Sequence, residues 1–155
     1  MAVTFRLVGP YTHLSLPVMN FAPEDPTLLN YNNANPLEQG EFLTINANYR
    51  VARAANPGAR PGPYPLFTEK GRSDTQGIAG GKVAVIVGGG YIAESKIINV
   101  AAAPALGAAL EVANITWSAL TKSGLQTFAT GVIVGYVLRP AASNDGWLQY
   151  ISMTV

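Results

Sequence analysis

The chain has 155 residues, of which 48% are hydrophobic and only 12% charged, with a formal net charge of +1 and no cysteine. That is room for one domain with a modest core, or a small domain with an arm, and the apolar content excludes disorder of the whole chain. The absence of cysteine excludes disulfides, thiolate metal sites and Cys nucleophiles, and the scattered Lys and Arg form none of the basic runs of a nucleic-acid binder.

Residues 1–39 read as an extended arm. Pro10, Pro17, Pro23, Pro26 and Pro36 punctuate it, and Asn30, Asn32, Asn33 and Asn35 make its end turn-rich. Proline fixes φ, removes a donor and biases its predecessor to extended conformations, so no useful helix survives there. The arm is nevertheless apolar, which implies that it is buried against its own domain or against a neighbouring subunit. Phe5, Tyr11, His13, Leu16, Phe21, Leu28 and Tyr31 are its candidate contacts.

From Gly40 the pattern becomes that of strands, and residues 40–155 are expected to form the domain proper. Glu41–Asn46 and Tyr49–Arg53 alternate, the second with Tyr49, Val51 and Arg53 on one face, and Ala47-Asn48 connects them. Residues 56–65 hold four prolines and two glycines and read as a loop. Leu66-Phe67 is a short strand and Gly71–Asp74 a polar turn. Lys82–Val87 is β-branched and apolar on both faces, the signature of a strand covered on two sides. Tyr91-Ile92 and Lys96–Ile98 are short strand candidates. Ala101–Ala109 is interrupted by Pro104 and Gly107, which limits it to a loop or a single helical turn. Ala109–Trp117, Leu125–Ala129, Val132–Arg139 and Trp147–Val155 complete the series, the last with Trp147, Gln149, Ile151, Met153 and Val155 on one face. Gly124, Gly131 and Asn144-Asp145-Gly146 carry turn chemistry at meander spacing. The expected class is all-β, a compact barrel or sandwich.

The sharpest local motif is Val85-Ile86-Val87-Gly88-Gly89-Gly90-Tyr91-Ile92-Ala93-Glu94, which resembles the Gly-x-Gly-x-x-Ala dinucleotide fingerprint of flavin disulfide reductases, with Glu111 near the place of the ribose carboxylate. That fingerprint needs a helix directly afterwards, whereas Lys96–Val100 is β-branched and Pro104 follows. Dinucleotide binding through Gly88–Gly90 is therefore a remote alternative, and no cofactor is expected. The single histidine, His13, offers no metal-binding spacing, so no metal is expected either. Glu24-Asp25 and Glu38-x-x-Glu41 read as solvated turn or arm charges. Nothing marks an enzyme, and binding to other proteins is the expected activity, consistent with the depletion of charge at interface cores.

Several phrases resemble a known family. They are Leu37-x-x-Gly-Glu-Phe-Leu43, Tyr49-Arg-Val-Ala-Arg53, Pro65–Asp74, the apolar strand ending in glycines before Glu94-Ser-Lys-Ile97, and Val134-Gly-Tyr-Val-Leu138. Together they are similar to the small head-decoration, or cement, proteins of tailed bacteriophages, over roughly residues 37–155. The resemblance implies a β-barrel of the tulip or related type on the capsid exterior of a virion assembled in the host cytoplasm. It implies the major capsid protein as partner, a dimer or trimer at a local symmetry axis, and a role in holding capsomers together against packaged DNA. Another virion part, such as a tail, baseplate or receptor-binding module, is the alternative. No membrane or direct nucleic-acid contact is implied.

Overall fold

The computed structural model describes residues 3–10, 17–29, 33–54, 63–68, 81–88 and 90–153. Half of the chain is strand and, among the described residues, no helix reaches seven residues, so the all-β class holds. In chain order the strands are β1 (Phe5–Pro10), β2 (Val18–Pro23), β3 (Phe42–Ile45), β4 (Arg50–Arg53), β5 (Tyr64–Thr68), β6 (Val83–Ile86), β7 (Tyr91–Ser95), β8 (Ala109–Trp117), β9 (Leu120–Thr127), β10 (Gly135–Arg139) and β11 (Leu148–Ser152). One sheet has the order β1-β7-β11-β10-β8-β9, and the other strands close into a barrel of order β2-β4-β3-β5-β6. All neighbours are antiparallel except β2 and β4, which run parallel over two residue pairs.

Strands of the barrel that are also covered by the large sheet need two apolar faces, and β3 and β6 supply them. Phe42 enters the core under the six-stranded sheet while its neighbour Leu43 enters the barrel core. Val83, Ala84, Val85 and Ile86 are all buried, as the two-sided apolar run predicts. Burying a side chain such as Phe42 or Ile86 completely contributes about 2–3 kcal/mol each. In β11, Leu148, Tyr150 and Ser152 point into the core and Gln149 and Ile151 point out, the alternation expected from the sequence.

The N-terminal segment differs from its expectation as an arm. β1 pairs with β7 at one edge of the large sheet, and β2 pairs with β6 and β4 in the barrel. The prolines bound these strands rather than breaking them: Pro17 precedes β2, and Pro10 and Pro23 are the last residues of β1 and β2. Missing N–H groups cost least at strand ends. Phe5 and Phe21 are consequently core residues, 1% and 6% exposed, and neither is a surface contact. Leu28 is half-buried against the barrel core. Tyr11, His13, Leu16 and Tyr31 lie outside the described residues, as do most of the loop at 56–65 and the whole Gly71–Asp74 turn.

Two further positions depart from expectation. Gly124 is in the middle of β9, not in a turn, and a Cβ there would stand 2.6 Å from the Ile97 carbonyl oxygen and 2.4 Å from Ile115 Cδ1. The glycine is required by close packing of the 96–98 segment, where Ile98 forms an isolated bridge to Leu125 instead of a strand. Tyr49 is not in β4 but in the left-handed region, at φ 56°. It closes a four-residue turn in which Asn46 Oδ1 accepts from the N–H groups of Asn48 and Arg50, at 2.8 and 3.0 Å.

Candidate protein-interaction site

The glycine triplet joins β6 of the barrel to β7 of the large sheet, so a strand follows it where the dinucleotide fingerprint needs a helix. Glu111 is equally committed elsewhere. Its carboxylate accepts from the Gln126 amide at 2.7 Å and from the N–H groups of Gly131 and Thr130 at 2.8 and 3.2 Å, clamping the loop after β9. Burial works to raise the Glu111 pKa, but the hydrogen bonds of Gln126, Gly131, Ala129 and Thr130 outweigh it and hold the carboxyl below its ordinary range. Both carboxylate oxygens are thus engaged by the protein's own groups, where the fingerprint needs them turned to a ribose.

Glu41, expected to be solvated, is completely buried at the junction of the two sheets. Arg53 Nε donates to its Oε1 at 2.7 Å and the Ser123 N–H to the same oxygen at 3.1 Å. Arg53 Nη2 and the Glu38 N–H reach Oε2 at 3.2 and 2.7 Å, and Lys122 Nζ lies 3.7 Å from it. The cations also donate to main-chain oxygens. Arg53 Nη2 contacts the Asn35 and Pro36 carbonyls at 2.9 and 2.7 Å, and Lys122 Nζ shares the Pro36 carbonyl. This cluster ties β3, β4, β9 and the 33–41 segment together. Every polar group in it is occupied by another, which makes it a joint rather than a reactive centre. Among the described residues no group of three or more His, Asp or Glu side chains could hold a metal ion, and no helix is long and apolar enough to cross a membrane.

What faces solvent is more informative. Residues paired across a sheet share a face, and the register places Ile92 opposite Ile151, Ile151 opposite Tyr136, and Tyr136 opposite Ala109. Phe128, whose N–H donates to the Ala109 carbonyl at 2.8 Å, ends the row. Their neighbours along each strand, Ala93, Tyr150, Gly135 and Leu110, are buried, so this row is on the outer face. Tyr136 and Phe128 are each 36% exposed, and Met153 is 50% exposed beyond the end of β11. A bulge between Val137 and Arg139 turns Leu138 and Arg139 both to solvent.

A second row on the same face is polar. Arg6 is opposite Glu94, Glu94 opposite Gln149, and Gln149 opposite Arg139. Arg6 Nε donates to Glu94 Oε1 at 2.7 Å, and Asn144 Nδ2 donates to Glu94 Oε2 while its own oxygen accepts from Arg139 at 3.1 Å. Partial burial opposes ionisation of Glu94, yet Asn144, Arg6 and Arg139 together hold its carboxyl below the ordinary range. The Arg6 guanidinium and the Lys96 ammonium lie 4.1 and 5.0 Å from the centroid of Trp147, a stacked, preorganised arrangement. The outer face therefore combines a strip of apolar side chains with an internally hydrogen-bonded polar strip in which Arg6, Arg139 and Lys96 outnumber the one carboxylate, Glu94. Apolar side chains bordered by polar groups are a composition also found at protein interfaces. Sequence reasoning placed Trp147, Gln149, Ile151 and Met153 on one face but did not connect them to Ile92 or Tyr136, which requires the strand order.

Comparison with protein-family models, with curated proteins and with solved structures gives no match.

Proposed function

We propose that the chain is a structural virion protein that binds the outer surface of a major capsid protein shell and cements neighbouring capsomers. The observation that carries protein binding is the apolar row Ile92–Ile151–Tyr136–Ala109–Phe128 on the outer face of the large sheet. It crosses β7, β11, β10 and β8 to the end of β9, a width of roughly 19 Å at the usual strand spacing. Solvated antiparallel faces ordinarily alternate to polar residues, and an apolar strip of this width favours a partner. The capsid as that partner rests on the resemblance across residues 37–155, and the 12% charged content is in keeping with a surface shared in an assembly. Many identical contacts on a shell gain by multivalency, so each of them can be weak. Self-association at a local symmetry axis belongs to the same proposal.

The test uses heads stripped of this chain and the purified protein. Wild-type chain should co-sediment saturably and in fixed proportion, and should raise the temperature at which filled heads rupture. The double variant Ile151→Lys, Tyr136→Glu should fold normally and lose the binding. Full-strength binding by that variant, or labelled chain found on the tail in micrographs of intact virions, would refute the assignment. Removing residues 1–36 does not test docking, because it takes away β1, β2 and the Pro36 carbonyl that Arg53 and Lys122 share.

A further inference from the structure

A second surface, built from other elements, has a different chemistry. The Pro17 carbonyl accepts from the Val87 N–H at 2.9 Å, and β2 and β6 then pair Val18 with Ile86, Met19 with Val85 and Asn20 with Ala84. Because main-chain groups alternate sides along a strand, Met19 and Phe21 bond towards β6, and the N–H and C=O of Val18 and Asn20 point the opposite way. On that side the only ladder among the described residues is with β4, and it reaches no further than Ala22 and Pro23. Val18–Asn20 is thus an open strand edge of about 10 Å at the usual rise per residue.

The edge borders a groove between β2 and the turn leading into β4. Met19, 52% exposed, and Tyr49, 77% exposed, are its apolar walls. Ala22 is opposite Arg50 in β4, and continuing the β2–β6 register puts Lys82 on its other flank, so two cations bracket one small side chain. The other described cations are engaged: Arg6 with Glu94, Arg53 and Lys122 with Glu41, Arg139 with Asn144, and Lys96 over Trp147. Among the described residues Arg50 and Lys82 have no carboxylate partner, and the Arg50 guanidinium makes only a 3.5 Å contact with the Pro23 carbonyl. The left-handed backbone of Tyr49 is a further sign. A bulky residue at φ 56° is strained, and strain of this kind collects where a side chain is held for a purpose.

We infer that this groove captures an extended acidic segment of a partner protein, which adds a short strand to β2 and sets a carboxylate between Arg50 and Lys82. Alternating N–H and C=O groups on the edge match only another peptide backbone, which favours a peptide over a nucleic-acid strand. The incoming segment ends where β4 takes over the edge, so the site reads only a few residues. Specificity then comes from the carboxylate and from the side chain that lies against Tyr49 and Met19.

The probe is a short synthetic peptide of alternating valine and glutamate, with three controls: its valine–lysine counterpart, a form N-methylated at alternate residues, and a single-stranded oligonucleotide. Titration is followed by amide chemical shifts and by fluorescence anisotropy. The glutamate peptide should saturate and shift the Val18 and Asn20 amides, and the lysine and N-methylated peptides should not. Arg50→Glu and Lys82→Glu should each weaken binding by about tenfold, as expected when a charge attraction becomes a repulsion. Tyr49→Gly should weaken binding while leaving the melting temperature unchanged or higher, since glycine relieves the positive φ; a purely structural Tyr49 would show the reverse. Equal binding of the lysine peptide, displacement by the oligonucleotide, or shifts at Ile151 and Tyr136 instead of β2 would each overturn the inference.

Discussion

Replacing Glu41 by Gln is the sharpest test of how the two sheets are held together. The substitution preserves volume, so any loss is electrostatic. In the wild type one carboxylate is shared by two cations, and Glu41 and Lys122 are both fully buried. With Gln, one carboxylate oxygen becomes an NH2 group. In one amide orientation it faces Arg53 Nη2, the Glu38 N–H and Lys122 Nζ; in the other it faces Arg53 Nε and the Ser123 N–H. Donor meets donor in both, and the buried Lys122 and the partly buried Arg53 lose their counter-charge. Breaking a buried ion pair from one side costs about 3–5 kcal/mol. A chain of 155 residues loses roughly 0.3 kcal/mol of stability per kelvin near its midpoint, so the melting temperature should fall by about 10–15 °C. Urea denaturation gives the free energy directly, and calorimetry gives the temperature. The triple variant Glu41→Leu, Arg53→Met, Lys122→Met should recover much of the loss, because apolar replacement of a whole buried cluster is often neutral. A cost below about 1 kcal/mol for Glu41→Gln would place the cluster in water and refute the picture of a dry joint.

The remaining expectations concern close packing and pH. Gly124→Ala should destabilise the protein by about 2–3 kcal/mol in denaturant titration, since the new methyl meets the Ile97 carbonyl oxygen at 2.6 Å; an unchanged midpoint would mean that the 96–98 segment is free to move away. Glu94 and Glu111 have folded-state pKa values below their unfolded ones. Their contribution is therefore complete above the unfolded value of about 4.3 and is lost as pH falls through the folded values. Denaturant midpoints taken from pH 7 downwards should hold level and then drop in acid. Glu111→Gln should start lower by about 2 kcal/mol and show a shallower acid limb; an acid limb as steep as in the wild type would assign the effect to other carboxylates.

The strands whose partners make no demand were legible in the sequence. β6 follows from four apolar residues in succession, and β11 from strict alternation, because each pattern is local. The joint at Glu41 was not legible, since Lys122 and Ser123 approach from 81 and 82 positions away and a lone glutamate after a glycine looks solvated. The N-terminal strands read as an arm for a related reason. Their prolines forbid helix but are neutral towards a strand that ends on them, and β1 finds its partner 88 residues on, where Arg6 meets Glu94. Gly124 shows a limit of composition: a glycine needed for close approach is written with the same letter as a glycine needed for a turn. The outer face was half legible, one strand at a time, because only the strand order reveals which rows continue across the sheet.

The order β1-β7-β11-β10-β8-β9 also governs when the molecule can exist. β8, β9 and β10 form one block, and β7 with β1 forms another that spans the barrel strands between them in sequence. β11 alone bonds to both, and it is the last of the described strands to be synthesised. Until it emerges, the large sheet is two pieces with raw edges on β7 and β10, and Tyr91 lacks the Tyr150 ring it packs against. Ile151 belongs to the same late strand, so until then the apolar row on the outer face is interrupted between Ile92 and Tyr136. On the proposed reading, the docking surface is joined up in the same event that joins the two pieces of the large sheet.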